Sequence, residues 1–147
     1  MTPRRLARAF TLIEAMVVVA IVATLATIAL PSYADYVRRS RLLEAVARLA
    51  DARARMEAYF LDEHSYVDGA GACGAAPPPS ATADAFTLAC TGTASTFVYT
   101  ATGRDDKGMA AFAYAVDHTG AQSTVTLPPA WVKTADCWTI RADGLCA

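Results

Sequence analysis

Near its N-terminus the chain has a long apolar run that contains a single charged residue. The run from Phe10 to Leu30 holds 21 residues, and Glu14 is the charged one among them. As a helix it would be about 31 Å long, close to the hydrocarbon thickness of a bilayer. A carboxylate in hydrocarbon costs about 3 kcal/mol at a helix centre and less near an end. The run therefore predicts one membrane span in which Glu14 needs a partner.

A second helical pattern follows Pro31. It is rich in Ala, Leu, Arg and Glu, which favour helices, and its apolar positions recur at spacings of three and four. These positions are Leu42, Ala45, Leu49, Ala52, Met56 and Tyr59 or Phe60. Because proline removes a backbone donor, we predict one helix over residues 10–62 with a kink at Pro31. One face of its second half should pack on a small domain.

The rest of the chain shows strand patterns. Residues 68–85 are rich in Gly, Ala and Pro and predict a loop. Runs with aromatic residues, Thr and partial alternation predict four strands at 86–92, 96–103, 111–117 and 123–127, with a tight turn at 118–121 and a further short strand at 137–141. The expected fold class is α+β, with the helix stripe covering one face of a four-stranded antiparallel sheet.

Charge separates the N-terminus from the remainder. Residues 1–9 carry Arg4, Arg5 and Arg8 and no acid, so the positive-inside rule keeps them cytoplasmic and exports the rest. Without these arginines the chain has ten basic and fourteen acidic residues, a net charge of −4. This balance argues against a broad nucleic-acid-binding surface, which requires a basic face.

Four cysteines follow the span: Cys73, Cys90, Cys137 and Cys146. An even number of cysteines in a small exported domain predicts two disulfides. We favour Cys73–Cys90 and Cys137–Cys146, because each closes a short loop, which should contribute about 2–3 kcal/mol. The other two pairings stay open, and so does a zinc site, although the cysteine spacing does not favour one.

The stretch AFTLIEAM, with its basic leader, apolar span and Pro31, resembles the signal of the type IV pilin family. The resemblance implies that a prepilin peptidase cuts between Ala9 and Phe10 and that the new N-terminus at Phe10 is methylated by the same enzyme. The family usually has Gly before the cut, and Ala9 departs from this. Glu14 is the fifth residue after the cut, where the family has its acidic residue. Pro31 lies at the position of the family's helix-breaking proline.

This resemblance supplies a partner for Glu14. Cleavage would give Phe10 a positively charged amino group, and in a filament Glu14 of one subunit could pair with the Phe10 amine of a neighbour. Leaving one member of a buried ion pair alone typically costs about 3–5 kcal/mol, so Glu14 would set the register of incoming subunits. The apolar surface would supply most of the association energy, and the repeated head-to-tail contact would build a helical polymer.

Later segments also resemble pilins, most closely the PilE-like minor pilins: MEAYFLDEHSYV, FTLACTG, FAYAVDHTG and CWTIRADGLC. The implied fold is the pilin lollipop, with a long helix, a connecting loop, a four-stranded sheet and a disulfide-bounded D-region. The implied division is a cleaved leader at 1–9, a transmembrane and filament-core half-helix at 10–34, and a periplasmic globular domain at 35–147. The protein would be a single-pass inner-membrane protein before it joins an extracellular pilus.

The expected function is that of a minor type IV pilin, a structural subunit that primes pilus assembly and thereby supports twitching motility and adhesion. The implied partners are other major and minor pilins, the prepilin peptidase and the inner-membrane assembly platform. We expect no enzyme activity, cofactor or metal. The alternatives are a type II secretion pseudopilin and a DNA-binding pilin of natural transformation. The cations available for DNA would be Arg104, Lys107, Lys133 and Arg141, but net acidity and lack of clustering weigh against DNA.

Other features have plainer explanations. A secretory signal cut before Asp35, or a simple single-span anchor, would leave Glu14 unexplained. Residues 103–108, GRDDKG, predict a polar hairpin tip, with calcium binding as the alternative. His64 and His118 lack a nucleophile motif. Two further residues, Trp131 and Trp138, either contact a partner or plug the end of the sheet or the D-region.

Overall fold

One helix begins just after the predicted cleavage site. The computed structural model describes residues 10–82 and 84–147, and helix α1 spans Leu12–Glu63. The predicted leader 1–9, with Ala9, lies outside these residues. The chain divides after Arg38 into two compact units. The helix continues through Pro31, and the kink at that residue stays a prediction.

The helix stripe predicted from spacing forms the core of the second unit. Leu42, Ala45, Leu49, Ala52 and Met56 are all at most 1% exposed, whereas Tyr59 and Phe60 at the end of the stripe are half-buried. Spacings of three and four place all these side chains on one side of the helix. The prediction of an amphipathic helix that packs on the sheet is confirmed.

Four antiparallel strands form a single sheet in chain order. They are β1 (Phe86–Gly92), β2 (Phe97–Gly103), β3 (Ala113–Asp117) and β4 (Gln122–Thr126). These bounds match the predicted strands to within two residues, and the predicted α+β fold is confirmed. The buried side chains of β2 alternate, with Phe97, Tyr99 and Ala101 facing the core.

An aromatic column joins the end of α1 to the sheet. The rings of Phe60 and Tyr66 stack with centroids 4.3 Å apart, and Tyr66 meets Phe97 edge-on at 4.7 Å. Between them the chain turns at His64, whose φ of 53° is left-handed and whose N–H donates to the Phe60 carbonyl at 2.9 Å. The column fixes where the helix stops and how the following loop enters the sheet.

The β3–β4 turn is built around one carboxylate. The Asp117 Oδ1 accepts hydrogen bonds from the Thr119 N–H at 2.9 Å, the Thr119 hydroxyl at 2.6 Å and the Ala121 N–H at 3.0 Å. Gly120 supplies the left-handed conformation, with φ of 85°. The hydrogen bond from the Thr119 side chain lowers the pKa of Asp117. The tight turn predicted at 118–121 is confirmed, and its stability depends on the neighbouring Asp117.

The tail after β4 is held by side chains. The Tyr114 hydroxyl donates to the Thr139 carbonyl at 2.6 Å, and the Thr139 N–H donates to the Thr124 hydroxyl at 2.9 Å. The predicted strand at 137–141 is wrong, because within this fully described tail the pairing is limited to one isolated bridge between Thr139 and Cys146. Side-chain hydrogen bonds here take the place of a backbone ladder.

Both tryptophans pack inside the second unit. Trp138 is 4% exposed and its indole N–H donates to the Ala115 carbonyl at 2.9 Å. Half-buried Trp131 meets the Phe112 ring edge-on at 5.0 Å. These positions favour the plugging alternative over direct contact with a partner.

A single arginine connects α1 to the loop before β1. The Arg48 guanidinium lies 2.9 Å from an Asp84 carboxylate oxygen and donates to the Phe86 carbonyl at 2.8 Å. Glu44, one turn earlier, accepts from the Ala85 N–H at 3.3 Å. Charge-assisted hydrogen bonds are the stronger class, so this short segment is fixed to the helix although its sequence is typical of a loop.

Two disulfides close the loop and the tail. Cys73 is bonded to Cys90 across 17 residues, and Cys137 to Cys146 across nine. These are the pairings that loop length favours. All four sulfurs are bonded, so none is a thiolate available to zinc. Cys73–Cys90 attaches the connecting loop to β1, and Cys137–Cys146 closes the tail.

Removing the longer disulfide should cost more stability than removing the shorter one. We expect Cys73→Ala with Cys90→Ala to lower the free energy of unfolding by about 3 kcal/mol, and Cys137→Ala with Cys146→Ala by about 2.5 kcal/mol, since loop-closure entropy grows with loop length. Denaturant unfolding of the full chain in detergent, followed by tryptophan fluorescence, measures both. Equal stability of the wild type and the first double variant would contradict the assigned role of the disulfide.

Alkaline pH should destabilise the second unit through its buried tyrosines. Burial raises the pKa of Tyr99 to about 12 and also raises the pKa of Tyr114. The folded state favours neutral Tyr99. The contribution of this residue to the free energy of unfolding is therefore complete below pH 10 and is lost between pH 10 and about 12. We expect ionisation of Tyr99 to lower the free energy of unfolding by up to about 2 kcal/mol.

The matched variant for this experiment is Tyr99→Phe. It should lose the hydrogen bond that the Tyr99 hydroxyl donates to the Ala75 carbonyl and so be less stable at pH 8. Its free energy of unfolding should fall less steeply with rising pH. Parallel pH profiles of wild type and variant would show that Tyr99 does not carry the effect.

Candidate functional site

The first turn of α1 is capped by Thr11. The Thr11 hydroxyl accepts a hydrogen bond from the Glu14 N–H at 3.2 Å, and the Thr11 carbonyl accepts from the Ala15 N–H at 3.2 Å. Thr followed three residues later by Glu is the sequence form of a capping box, a signal that the sequence analysis missed. A carboxylate in this turn also lies at the positive end of the helix dipole. The bond to Thr11 uses the Glu14 backbone N–H, so the carboxylate itself contributes to this turn through the helix dipole.

Among the described residues of the first unit, almost all of the apolar side chains are exposed. The exposed fraction is 72% for Phe10 and 76% for Ile28. The other large exposed members of this set are Leu12, Ile13, Met16, Val17, Val18, Val19, Ile21, Val22, Leu25 and Leu30. We call residues 10–30 the apolar segment. In the described part of the chain, one helix is long and apolar enough to cross a membrane. Such a surface requires lipid or protein to cover it.

Polar side chains within the apolar segment are satisfied by the helix itself. The Thr24 hydroxyl donates to the Ala20 carbonyl at 2.7 Å and also approaches the Ile21 carbonyl at 2.9 Å. The Thr27 hydroxyl donates to the Thr24 carbonyl at 2.7 Å. Because these donors are used internally, the surface of the segment stays apolar between Glu14 and its C-terminal end.

The four cations proposed for DNA are bound to other groups. Asp106 lies 2.9 Å from Arg104 and 3.9 Å from Lys107, and Asp143 lies 2.8 Å from Arg141. The hydrogen bond from Arg104 lowers the pKa of Asp106. The four do not form one unpaired basic patch, and residues 39–147 hold nine basic and twelve acidic residues.

The fourth cation and one arginine of α1 bind main-chain oxygens instead. Lys133 Nζ donates to the Val125 carbonyl at 3.4 Å. Arg41 donates to the Lys107 carbonyl at 2.6 Å. Arg104 and Arg141 are each neutralised by a carboxylate. Lys133 and Arg41 instead contact neutral carbonyl groups, which leave their positive charge in place. They are stronger candidates for a phosphate than Arg104 and Arg141.

The candidate calcium site at residues 103–108 is a short 3-10 helix, Asp105–Lys107. Both carboxylate oxygens of Asp106 accept hydrogen bonds from the Arg104 guanidinium at 2.9 Å. No cluster of three or more His, Cys, Asp or Glu residues could hold a metal within residues 10–82 and 84–147. The geometry favours a polar connection between β2 and β3.

Two family models match this chain in consecutive stretches. One, described as a prokaryotic N-terminal methylation motif, matches residues 4–30. The other, described as "Type IV minor pilin ComP, DNA uptake sequence receptor", matches residues 31–126. The boundary between the matches falls at the end of the apolar segment.

Curated relatives with similar sequences are pilins and fimbrial proteins. A type IV major pilin protein PilE1 of Neisseria gonorrhoeae is 39% identical over 75 residues, which is 51% of this chain and 46% of the relative. The fimbrial protein EcpC of Eikenella corrodens is 42% identical over 60 residues, 41% of this chain and 39% of the relative. A fimbrial protein of Pseudomonas aeruginosa is 40% identical over 63 residues, which is 43% of this chain and 41% of the relative.

The chain thus spans less than half the length of these curated relatives. The second family model, however, covers well over half of the chain. It includes the second half of α1, the connecting loop and all four strands. The chain belongs to the type IV pilin family that this model describes.

Proposed function

We propose that this protein is a minor subunit of a type IV pilus, inserted in the membrane before it joins the filament. The observation that carries the proposal is the apolar segment, which begins at Phe10, contains Glu14, and has large apolar side chains that are 48–79% exposed. A surface of this size is stable in lipid before assembly and against the equivalent helices of other pilins after it. The relatives are pilins and fimbrial proteins, which favours a pilin over a pseudopilin.

The role of Glu14 in this proposal is to align neighbouring subunits. Processing between Ala9 and Phe10 would place a positive amine at Phe10, within reach of Glu14 on an adjacent subunit. An unpaired carboxylate in the packed filament would carry a desolvation cost, and the amine would offset it. We infer that priming of assembly, and with it motility and adhesion, depends on this pairing.

Glu14→Gln tests the charge separately from the helix cap. Glutamine retains the capping-box pattern with Thr11, but it cannot form an ion pair with the Phe10 amine. We expect normal cleavage and an at least tenfold loss of incorporation, measured by immunoblotting of sheared filaments and membranes. An exposed carboxylate at the other end of the helix supplies the control, Glu63→Gln, which should incorporate normally. Wild-type incorporation of Glu14→Gln would refute the pairing.

DNA binding is a second candidate function, supported by the description of the family model that matches residues 31–126. The charges of the described surface limit how it could occur. With nine basic and twelve acidic residues in 39–147, strong non-specific attraction to phosphate is not expected. Binding would use a few contacts, and Lys133 and Arg41 are candidates for them.

A shallow salt dependence should accompany any DNA binding. We expect the logarithm of the binding constant to fall with the logarithm of salt concentration with a slope of about −2, measured by fluorescence anisotropy of a labelled duplex with the full chain in detergent. Lys133→Gln should reduce the slope by about 1. Arg55→Gln is the control, because Arg55 is paired with Asp51 at 2.9 Å. Absence of binding at about 50 mM salt would refute DNA recognition by this chain alone.

A further inference from the structure

An exposed ion pair follows the apolar segment on the same helix. Arg38 Nη1 donates to Asp35 Oδ1 at 2.9 Å. The exposed fraction is 44% for the Arg38 side chain and 75% for the Asp35 side chain. We call these two residues the interfacial pair. Both belong to the first compact unit of the chain.

Helix geometry places the interfacial pair at the level of lipid headgroups. With a rise of about 1.5 Å per residue, the Cα atom of Asp35 lies about 7.5 Å beyond that of Leu30. Helical side chains lean toward the N-terminus, which brings the long Arg38 side chain back toward the same level. The polar layer of a bilayer is about 5–8 Å thick on each side. The pair therefore lies beyond the hydrocarbon and within reach of a headgroup.

Two exposed tyrosines support this depth. Tyr33 is 68% exposed and Tyr36 is 72% exposed, and a spacing of three places them on one side of the helix. Tyrosine is enriched where hydrocarbon meets headgroups, because its ring is apolar and its hydroxyl is polar. At about 3.6 residues per turn, the tyrosines and the interfacial pair lie on opposite sides of the helix. The tyrosines can thus fix the depth without covering the pair.

The interfacial pair offers both signs of charge to a ligand. Among residues 10–82 and 84–147, Asp35 Oδ2 accepts no hydrogen bond and the Arg38 guanidinium donates only through Nη1. A free carboxylate oxygen and free guanidinium N–H groups therefore lie side by side. Arginine suits phosphate oxygens, and a carboxylate accepts from an ammonium group. A headgroup that carries both a phosphate and a primary ammonium matches both members of the pair.

The same side of the helix is apolar toward the membrane. Ile28, two turns before Asp35, is 76% exposed, and Pro31, one turn before it, is also exposed. Residues spaced by four and by seven share one helix face. An acyl chain can therefore lie along Ile28 and Pro31 while the headgroup of the same lipid reaches the interfacial pair.

We propose that the interfacial pair binds the headgroup of a zwitterionic phospholipid, with its phosphate on Arg38 and its primary ammonium on Asp35. Phosphatidylethanolamine has this chemistry. Phosphatidylcholine lacks it, because its quaternary ammonium has no N–H to donate, and phosphatidylglycerol has no cation. The inference rests on the membrane-bound state in the proposed function and adds which lipid the subunit contacts there.

Charge attraction alone predicts a different lipid preference. Arg39, the next residue in the sequence, adds a cation, so general attraction would favour the anionic phosphatidylglycerol over both zwitterionic lipids. Recognition by the interfacial pair favours phosphatidylethanolamine instead, because Asp35 repels a headgroup that carries only negative charge.

Nanodiscs of defined composition test this preference on the full chain. The ¹⁵N-labelled protein is placed in phosphatidylcholine discs, in which phosphatidylethanolamine or phosphatidylglycerol with the same acyl chains replaces increasing fractions. The Arg38 Nε–H and Asp35 amide signals report headgroup binding. A charge-assisted hydrogen bond should give a roughly tenfold preference for phosphatidylethanolamine over phosphatidylcholine, with half of the shift complete at a mole fraction of about 0.1. Phosphatidylglycerol should shift both signals less.

Two variants separate the members of the pair. Asp35→Asn retains the size and removes the negative charge, so it should lose the preference for phosphatidylethanolamine and respond more strongly to phosphatidylglycerol. Arg38→Gln should lose the response to both lipids. Asp51→Asn is the control, because Asp51 forms a similar exposed pair with Arg55 at 2.9 Å outside the first unit. It should behave as wild type.

The outcomes distinguish this inference from the proposed function. A wild-type response to phosphatidylglycerol equal to or larger than that to phosphatidylethanolamine would overturn the inference and leave the membrane-bound state intact. The same holds for an unchanged phosphatidylethanolamine preference in Asp35→Asn. Failure of the chain to enter discs of any composition would overturn both the inference and the membrane-bound state.

Discussion

Uncovered apolar surface is the constraint on which this protein depends. Between Phe10 and Leu30 the helix satisfies its own threonine hydroxyls and presents side chains that water does not stabilise. Only lipid or other protein can cover them. Glu14 interrupts this surface in the first turn, where Thr11 and the helix dipole already favour it. The position of one carboxylate thus serves both the fold of a single subunit and the proposed selection of its neighbours.

In the second unit the same helix is stabilised by burial instead. Leu42, Leu49 and Met56 are fully buried, and the adjoining loop and tail depend on polar connections. Arg48 fixes the segment before β1, Asp117 organises the β3–β4 turn, and Tyr114 binds the tail. Each connection satisfies groups that irregular backbone would otherwise leave unpaired. Loops of low regularity can therefore keep a fixed geometry.

Sequence periodicity predicted the elements whose stability comes from burial. The helix stripe from Leu42 to Met56 and the four strands follow from apolar spacing. The strand predicted at 137–141 failed because Thr139 bonds to side chains of β3 and β4 that lie distant in sequence. Pairing of Arg48 with Asp84 and placement of Arg53 over Gly120 likewise depend on tertiary structure. The capping pattern of Thr11 and Glu14 was visible in the sequence but was not used.

Charge pairing also limits the chemistry open to the second unit. A carboxylate oxygen lies within 2.9 Å of each of four arginines: Arg48, Arg55, Arg104 and Arg141. Because their charge is neutralised locally, these arginines attract a phosphate backbone only weakly. Recognition of DNA would then have to rely on shape and on a few contacts rather than on general attraction.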